Sequence, residues 1–243
     1  MRALAQFKFA WLAFVVAVAM IGCSTTGSGK ADTPQGLFDR HIAATYGSGG
    51  LDAYQSISST GNIVIAAFGV TAPIVLNQMV PDSTSLTVEI PGALVRNGCH
   101  AGKCWDQQPG QGLATLSGDR LQAALQQADY DQFAHMADYY PSMEIVPAAD
   151  GEASDADTVR ATRANGDADI FHFSKESGLL VSSTIISETP QGKAAITANY
   201  SDFQEHGGIL LPMKVEQVTP LVTLQIELDK VTFDGLSAAD FSI

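Results

Sequence analysis

Three thiols, five imidazoles and 26 carboxylates are the side chains of this 243-residue sequence most able to do chemistry. The thiols are Cys23, Cys99 and Cys104. The last two stand in Gly98-Cys-His-Ala-Gly-Lys-Cys-Trp105, where four intervening residues, including Gly102, can fold back as a hairpin turn and bring the two Cα atoms within bridging range. Three chemistries suit that segment: a disulfide, a metal site using both sulfurs and His100 with a further ligand from elsewhere, or two free thiols. The spacing is not C-x-x-C, which argues against a redox-active pair. His41, His100, His135, His172 and His206 form no H-E-x-x-H and no i, i+4 pair. No G-x-S-x-G presents a serine nucleophile, and no Gly-rich loop of the P-loop or dinucleotide type cradles a phosphate. Asp150, Glu152, Asp155 and Asp157 crowd one segment without the EF-hand spacing, so a solvated acidic loop is expected there. Among so many carboxylates spacing cannot single out a glycosidase-like pair. The chain therefore reads as non-enzymatic, with no cofactor and no metal; a hydrolase acting on envelope polymers is the least favoured reading.

Cys23 has a different context. Arg2 and Lys8 precede an uncharged apolar run from Phe9 to Ile21. That is the order of an export signal, and the run is too short to span a bilayer comfortably. The Ile21-Gly22-Cys23 ending resembles the lipobox of bacterial lipoproteins, with Met20 where leucine is commoner. The resemblance implies that residues 1–22 are a cleaved lipoprotein signal peptide and that Cys23 carries a diacylglyceryl thioether and an N-acyl chain such as palmitate. One acyl chain holds a protein at a bilayer marginally, and two or three hold it stably. Ser24 occupies the position where Asp favours inner-membrane retention in many such lipoproteins, so the implied address is the periplasmic face of the outer membrane. Residues 23–32, rich in Ser, Thr and Gly after the cysteine, form a flexible tether of about 15–18 Å root-mean-square span. Export also puts Cys99 and Cys104 in an oxidising compartment, which favours the disulfide of the three readings.

Removing the signal takes away Arg2 and Lys8 and leaves 11 basic against 26 acidic side chains, a formal charge of −15. A polyanion of this size repels nucleic acid and anionic lipid alike, so contact with the membrane must come from the acyl chains at Cys23. Residues 33–243 suffice for one domain, and no linker divides them.

Thr33-Pro34 reads as an N-cap with proline at the first helical position, and Phe38, Ile42 and Tyr46 recur at helical spacing up to Gly47. A short helical turn over 51–54 can follow. From Thr60 the period becomes two: Leu86, Val88 and Ile90 alternate with polar residues, as Leu224, Ile226 and Leu228 do near the end. After Leu228 the phase slips, with Lys230 in the apolar phase and Val231 and Phe233 in the other, which predicts a bulge. Between the two β regions, Leu121, Ala124, Leu125 and Ala128 predict one amphipathic helix, and Phe133, Met136, Ala137 and Tyr140 predict a second.

Helix, long β meander, helical pair and second β meander behind a lipobox resemble the LolA/LolB-like family of outer-membrane lipoprotein-sorting proteins. The matching pieces include Tyr46-Gly-Ser-Gly-Gly-Leu51, Thr60-Gly61, Gly102-Lys-Cys-Trp105, Ser177-Gly-Leu-Leu180, Tyr200-Ser-Asp-Phe203, Gly207-Gly-Ile-Leu-Leu-Pro212 and Asp240-Phe-Ser242. The resemblance implies a mainly β fold: a curved antiparallel sheet forming an incomplete β-barrel, with helices against its concave face. It also implies that acyl chains sit between sheet and helices. Leu86, Val88, Ile90, Leu224, Ile226 and Leu228 are candidates to line that space, or else simply fill a core. Leu94, after Pro91-Gly92-Ala93, is the candidate counterpart of the exposed apolar loop residue of LolB-type receptors. The expected function is an anchored envelope lipoprotein that binds a lipid, a lipoprotein acyl chain or another apolar ligand. The alternative is a non-catalytic scaffold that holds an unidentified protein partner.

Overall fold

The computed structural model describes residues 33–47, 54–147, 155–189 and 192–242. The expected signal peptide, Cys23 and the tether lie outside the described residues, as do 51–53 of the expected short turn and 148–154 of the acidic loop.

Helix α1 runs over Pro34–Tyr46. Its cap is the expected one: Thr33 Oγ1 accepts from the Gly36 N–H at 3.0 Å, satisfying one of the orphan donors of the first turn, and Pro34 brings no N–H of its own. Gly47, at φ 56, ends the helix in a conformation that a side chain would strain. The buried face is wider than the predicted stripe, since Leu37, His41 and Thr45 join Phe38 and Tyr46.

Strands β1 (Ser56–Ile65), β2 (Val70–Met79), β3 (Ser83–Ile90), β4 (Ala93–His100), β5 (Lys103–Gln107) and β6 (Ala114–Thr115) form the first meander. Strands β7 (Ser142–Val146), β8 (Ala156–Thr162), β9 (Ala168–Ser174), β10 (Leu180–Thr189), β11 (Gly192–His206), β12 (Ile209–Val218) and β13 (Thr223–Phe233) form the second. The last strand pairs with the first, so both meanders join in one 13-stranded antiparallel sheet. Its edges, β6 and β7, are not paired with each other, and the sheet does not close into a barrel. The chain passes from one edge to the other through α2 (Gly118–Ala128), a 3-10 turn (Gln132–His135) and the single turn α3 (Met136–Tyr139).

The predicted slip in β13 is a bulge: Thr60 faces Lys230 and Gly61 faces Leu228, so Asp229 is the extra residue. Gly61 is required there, because a Cβ would lie 2.0 Å from the Glu227 carbonyl oxygen. Of the two predicted middle helices, α2 forms over the expected residues. The second is corrected to a 3-10 turn plus one α turn, in which Phe133, Met136 and Tyr140 are buried and Ala137 is exposed. Asp129, expected to start that helix, instead caps the C-terminus of α2, with Oδ1 accepting from the Asp131 N–H at 3.0 Å.

Cys99 and Cys104 face each other across the β4–β5 ladder with Cα atoms 4.0 Å apart, and they form a disulfide. The turn that brings them together has Ala101 and Gly102 at φ 50 and 74, the left-handed pair that suits the twist of a two-residue hairpin.

One face of the sheet carries the core. Leu86, Val88, Ile90, Leu224, Ile226 and Leu228 are all buried in it. Across the β7–β12 half, α1 drives Phe38 into an aromatic cluster, with ring centroids 5.2 Å from Phe133 and Phe171 and 5.0 Å from Phe173. Burying such a ring contributes about 1.5–3 kcal/mol. That cluster fixes α1 and the 3-10 turn against the sheet, and leaves α2 to cover the rest.

Candidate functional site: a cavity under helix α2

Helix α2 packs its apolar stripe, Leu121, Ala124, Leu125 and the buried Ala128, on the Cys99–Cys104 disulfide. Beside this attachment lies a cavity of about 560 Å³. Strands β2 to β5 supply one wall and the β8–β9 turn with β10 supplies the other, so the sheet curls far enough to bring both around α2. The volume falls in the range of about 300–1,000 Å³ typical of small-molecule sites.

The inner wall changes character strand by strand. Leu76 faces Leu86, Leu86 faces Asn97, and Asn97 faces Asp106 in the ladders from β2 to β5. All four line the cavity, which is thus apolar toward the middle of the sheet and polar toward β5. At the polar end, Asp106 Oδ2 is 2.9 Å from Arg120 Nη2 on the first turn of α2, and Asp106 Oδ1 accepts from Gln108 Nε2 at 2.7 Å. Gln108 is only 4 % exposed, and its Oε1 is buried with no hydrogen-bond partner.

A buried ionic knot closes the opposite side. Asp169 is fully buried, 2.6 Å from Arg163 Nη2, and accepts from Tyr140 Oη at 2.6 Å and the Ile186 N–H at 2.8 Å. Burial pushes the Asp169 carboxyl above the usual range, and Arg163, Tyr140 and the Ile186 amide pull it back. Burial first, and then the Asp169 charge, raise the Tyr140 hydroxyl well above its ordinary value, so it remains a donor. Gln126 of α2 donates to Tyr140 Oη at 3.1 Å and also lines the cavity. The knot therefore ties the helix over the cavity to the far wall.

The six apolar residues expected to line a ligand space all lie on the core face; of these, Leu86 borders the cavity, and the other five are packed in the core cluster. Leu94 is half-buried on β4, next to the Pro91–Gly92 turn and opposite Glu89; alternation with the buried Val95 turns it away from the core face. The polar end of the cavity and the ionic knot were not predicted. Asp169 carried a readable sign: it shares the inward phase of β9 with Phe171 and Phe173, and a carboxylate there must be paired. Gln108 and Arg120 carried none, because their roles depend on how α2 docks.

No protein-family model matches this sequence, and no curated protein matches it. Solved structures do resemble it. A LolA-superfamily protein from Nitrosomonas europaea superposes with a TM-score of 0.57 at 12% identity, covering 87% of this chain and 98% of that one. A DUF1329-family protein from Desulfovibrio piger gives 0.57 at 14% identity, covering 86% and 95%. A domain described as an outer membrane lipoprotein-sorting protein, from Vibrio parahaemolyticus, gives 0.58 at 12% identity, covering 88% and 97%. The likeness at these identities is one of architecture, and it agrees with the open sheet and its crossing helices: this chain has the LolA/LolB-like fold.

Proposed function

We propose that this protein is a membrane-anchored envelope lipoprotein that holds an acyl chain or another apolar ligand between α2 and the sheet. The observation that carries the reading is the cavity of about 560 Å³, with Leu76, Leu86, Leu125 and Ile186 in its lining. An apolar chain leaving water for such a space gains about 0.8 kcal/mol per CH2. The fold shared with a lipoprotein-sorting domain and the lipobox-like ending at Cys23 support the same reading. Cys23, acylated and followed by its tether, would place the domain beside the outer membrane, where such ligands are found. Binding of this kind needs no catalytic group.

Uptake of the neutral apolar fluorophore N-phenyl-1-naphthylamine tests the proposal, using residues 23–243 with Cys23→Ser so that no acyl chain of the protein competes. The probe is expected to brighten with saturable binding. Ala123→Trp, which fills the cavity from α2, should weaken binding by at least about tenfold while circular dichroism stays native. A folded protein that leaves the probe dark, or binds it equally with Trp at 123, contradicts the proposal.

A further inference from the structure

From the polar end of the cavity we infer that the ligand is an amphipath with an uncharged, hydroxyl-bearing head, read by Gln108. The inference rests on the ligand-binding reading above and goes beyond it by assigning the head group. Gln108 lines the cavity, and its amide orientation is set by Asp106: Nε2 donates to Asp106 Oδ1 at 2.7 Å, which leaves Oε1 as the free acceptor. That acceptor is buried and has no partner in the protein. A buried carbonyl oxygen left in this way costs about 1–3 kcal/mol, and a ligand O–H removes the penalty.

Charge argues against an ionic head. Arg120 is engaged by Asp106, and Arg163 by Asp169, so each guanidinium of the lining already faces a carboxylate. A carboxylate or phosphate entering beside Gln108 would give up its hydration without a new counter-charge, and it would meet Asp106. A quaternary ammonium fares no better, because Asp106 is balanced by Arg120, and it has no hydrogen to offer Gln108. The remaining unpaired lining acids, Asp119 and Asp138, are exposed to solvent and keep their hydration. A hydroxyl head meets both conditions, and its chain points along the row from Asn97 to Leu86 and Leu76 toward the apolar end.

Three probes with the same twelve-carbon chain test this on residues 23–243 with Cys23→Ser, by native mass spectrometry and competition with the fluorophore: 1-dodecanoylglycerol, dodecanoate and dodecyltrimethylammonium. The glycerol ester is expected to bind at least about tenfold tighter than either charged probe. Gln108→Leu should remove that preference by weakening the glycerol ester about tenfold and leaving the other two unchanged. Equal affinities for all three heads, tighter binding of a charged probe, or an unchanged preference in folded Gln108→Leu would overturn the head-group assignment and leave the cavity reading standing. Failure of all three probes, with no fluorophore uptake, would overturn both. The head-group comparison on the chain with Gln108 in place decides the question whether or not the variant folds.

Discussion

Asp169→Ala is expected to destabilise the domain by about 3–5 kcal/mol, the largest effect of any single side chain outside the aromatic core. The aspartate is fully buried and Arg163 is 18 % exposed, so water cannot take over the guanidinium when its partner is removed. The same change strands Tyr140 Oη and the Ile186 N–H, both of which point at the lost carboxylate. Replacing both members, Asp169→Leu with Arg163→Leu, should cost clearly less than the sum of the single changes, because no charge is then left alone. Urea unfolding followed by tryptophan fluorescence measures all three variants. A loss below about 1 kcal/mol for Asp169→Ala, the range of exposed pairs, would show that the knot does not hold α2 and α3 to the far wall.

Acid should loosen the other helix. His41 is 3 % exposed on the inner face of α1, its Nδ1 accepting the Leu180 N–H at 3.0 Å, with the Phe133 and Phe173 rings beside it. Burial pushes its pKa down from 6.5 to about 3. The depressed value fixes the sign. Above pH 6.5 the imidazole is neutral folded and unfolded, and it adds no pH dependence. Between about pH 6.5 and 3 the unfolded chain binds a proton that the folded chain refuses, so stability falls by about 1.4 kcal/mol per pH unit from this group alone. His41→Gln offers an acceptor to Leu180 and cannot titrate. The slope of stability between pH 6 and 4.5 should therefore be shallower in His41→Gln by about that amount. Parallel slopes for the two proteins would mean that His41 reaches solvent and that α1 is not sealed onto the sheet.

How much of this was readable in advance depended on whether a feature is local. The cap at Thr33, the hairpin that pairs Cys99 with Cys104 and the bulge after Leu228 each follow from a few neighbouring residues, and each stands where its spacing indicates. The Phe133–Tyr140 stripe misled, because its spacing fits a helix as well as it fits a turn whose aromatic side chains are claimed by Phe38 and by the Asp169 knot. Tertiary packing decided there, not propensity. The strand alternation marked Leu86 and Leu224 as inward without distinguishing a cavity wall from a filled core. That distinction depends on where α2 crosses the open sheet, and α2 is placed by contacts with Cys99, Asp106 and Tyr140, which are distant in sequence or hidden in a loop. His41 looked like one more helix residue for the same reason: the backbone amide it serves lies 139 positions away.

The central claim is that the space under α2 holds an amphipathic ligand, and native mass spectrometry measures it most directly. Residues 23–243 with Cys23→Ser, mixed with a small excess of 1-dodecanoylglycerol, should carry one ligand per chain and lose it when Ala123→Trp fills the cavity. A folded chain that keeps its bare mass at every ligand concentration, or that binds equally well with Trp at 123, would contradict the claim.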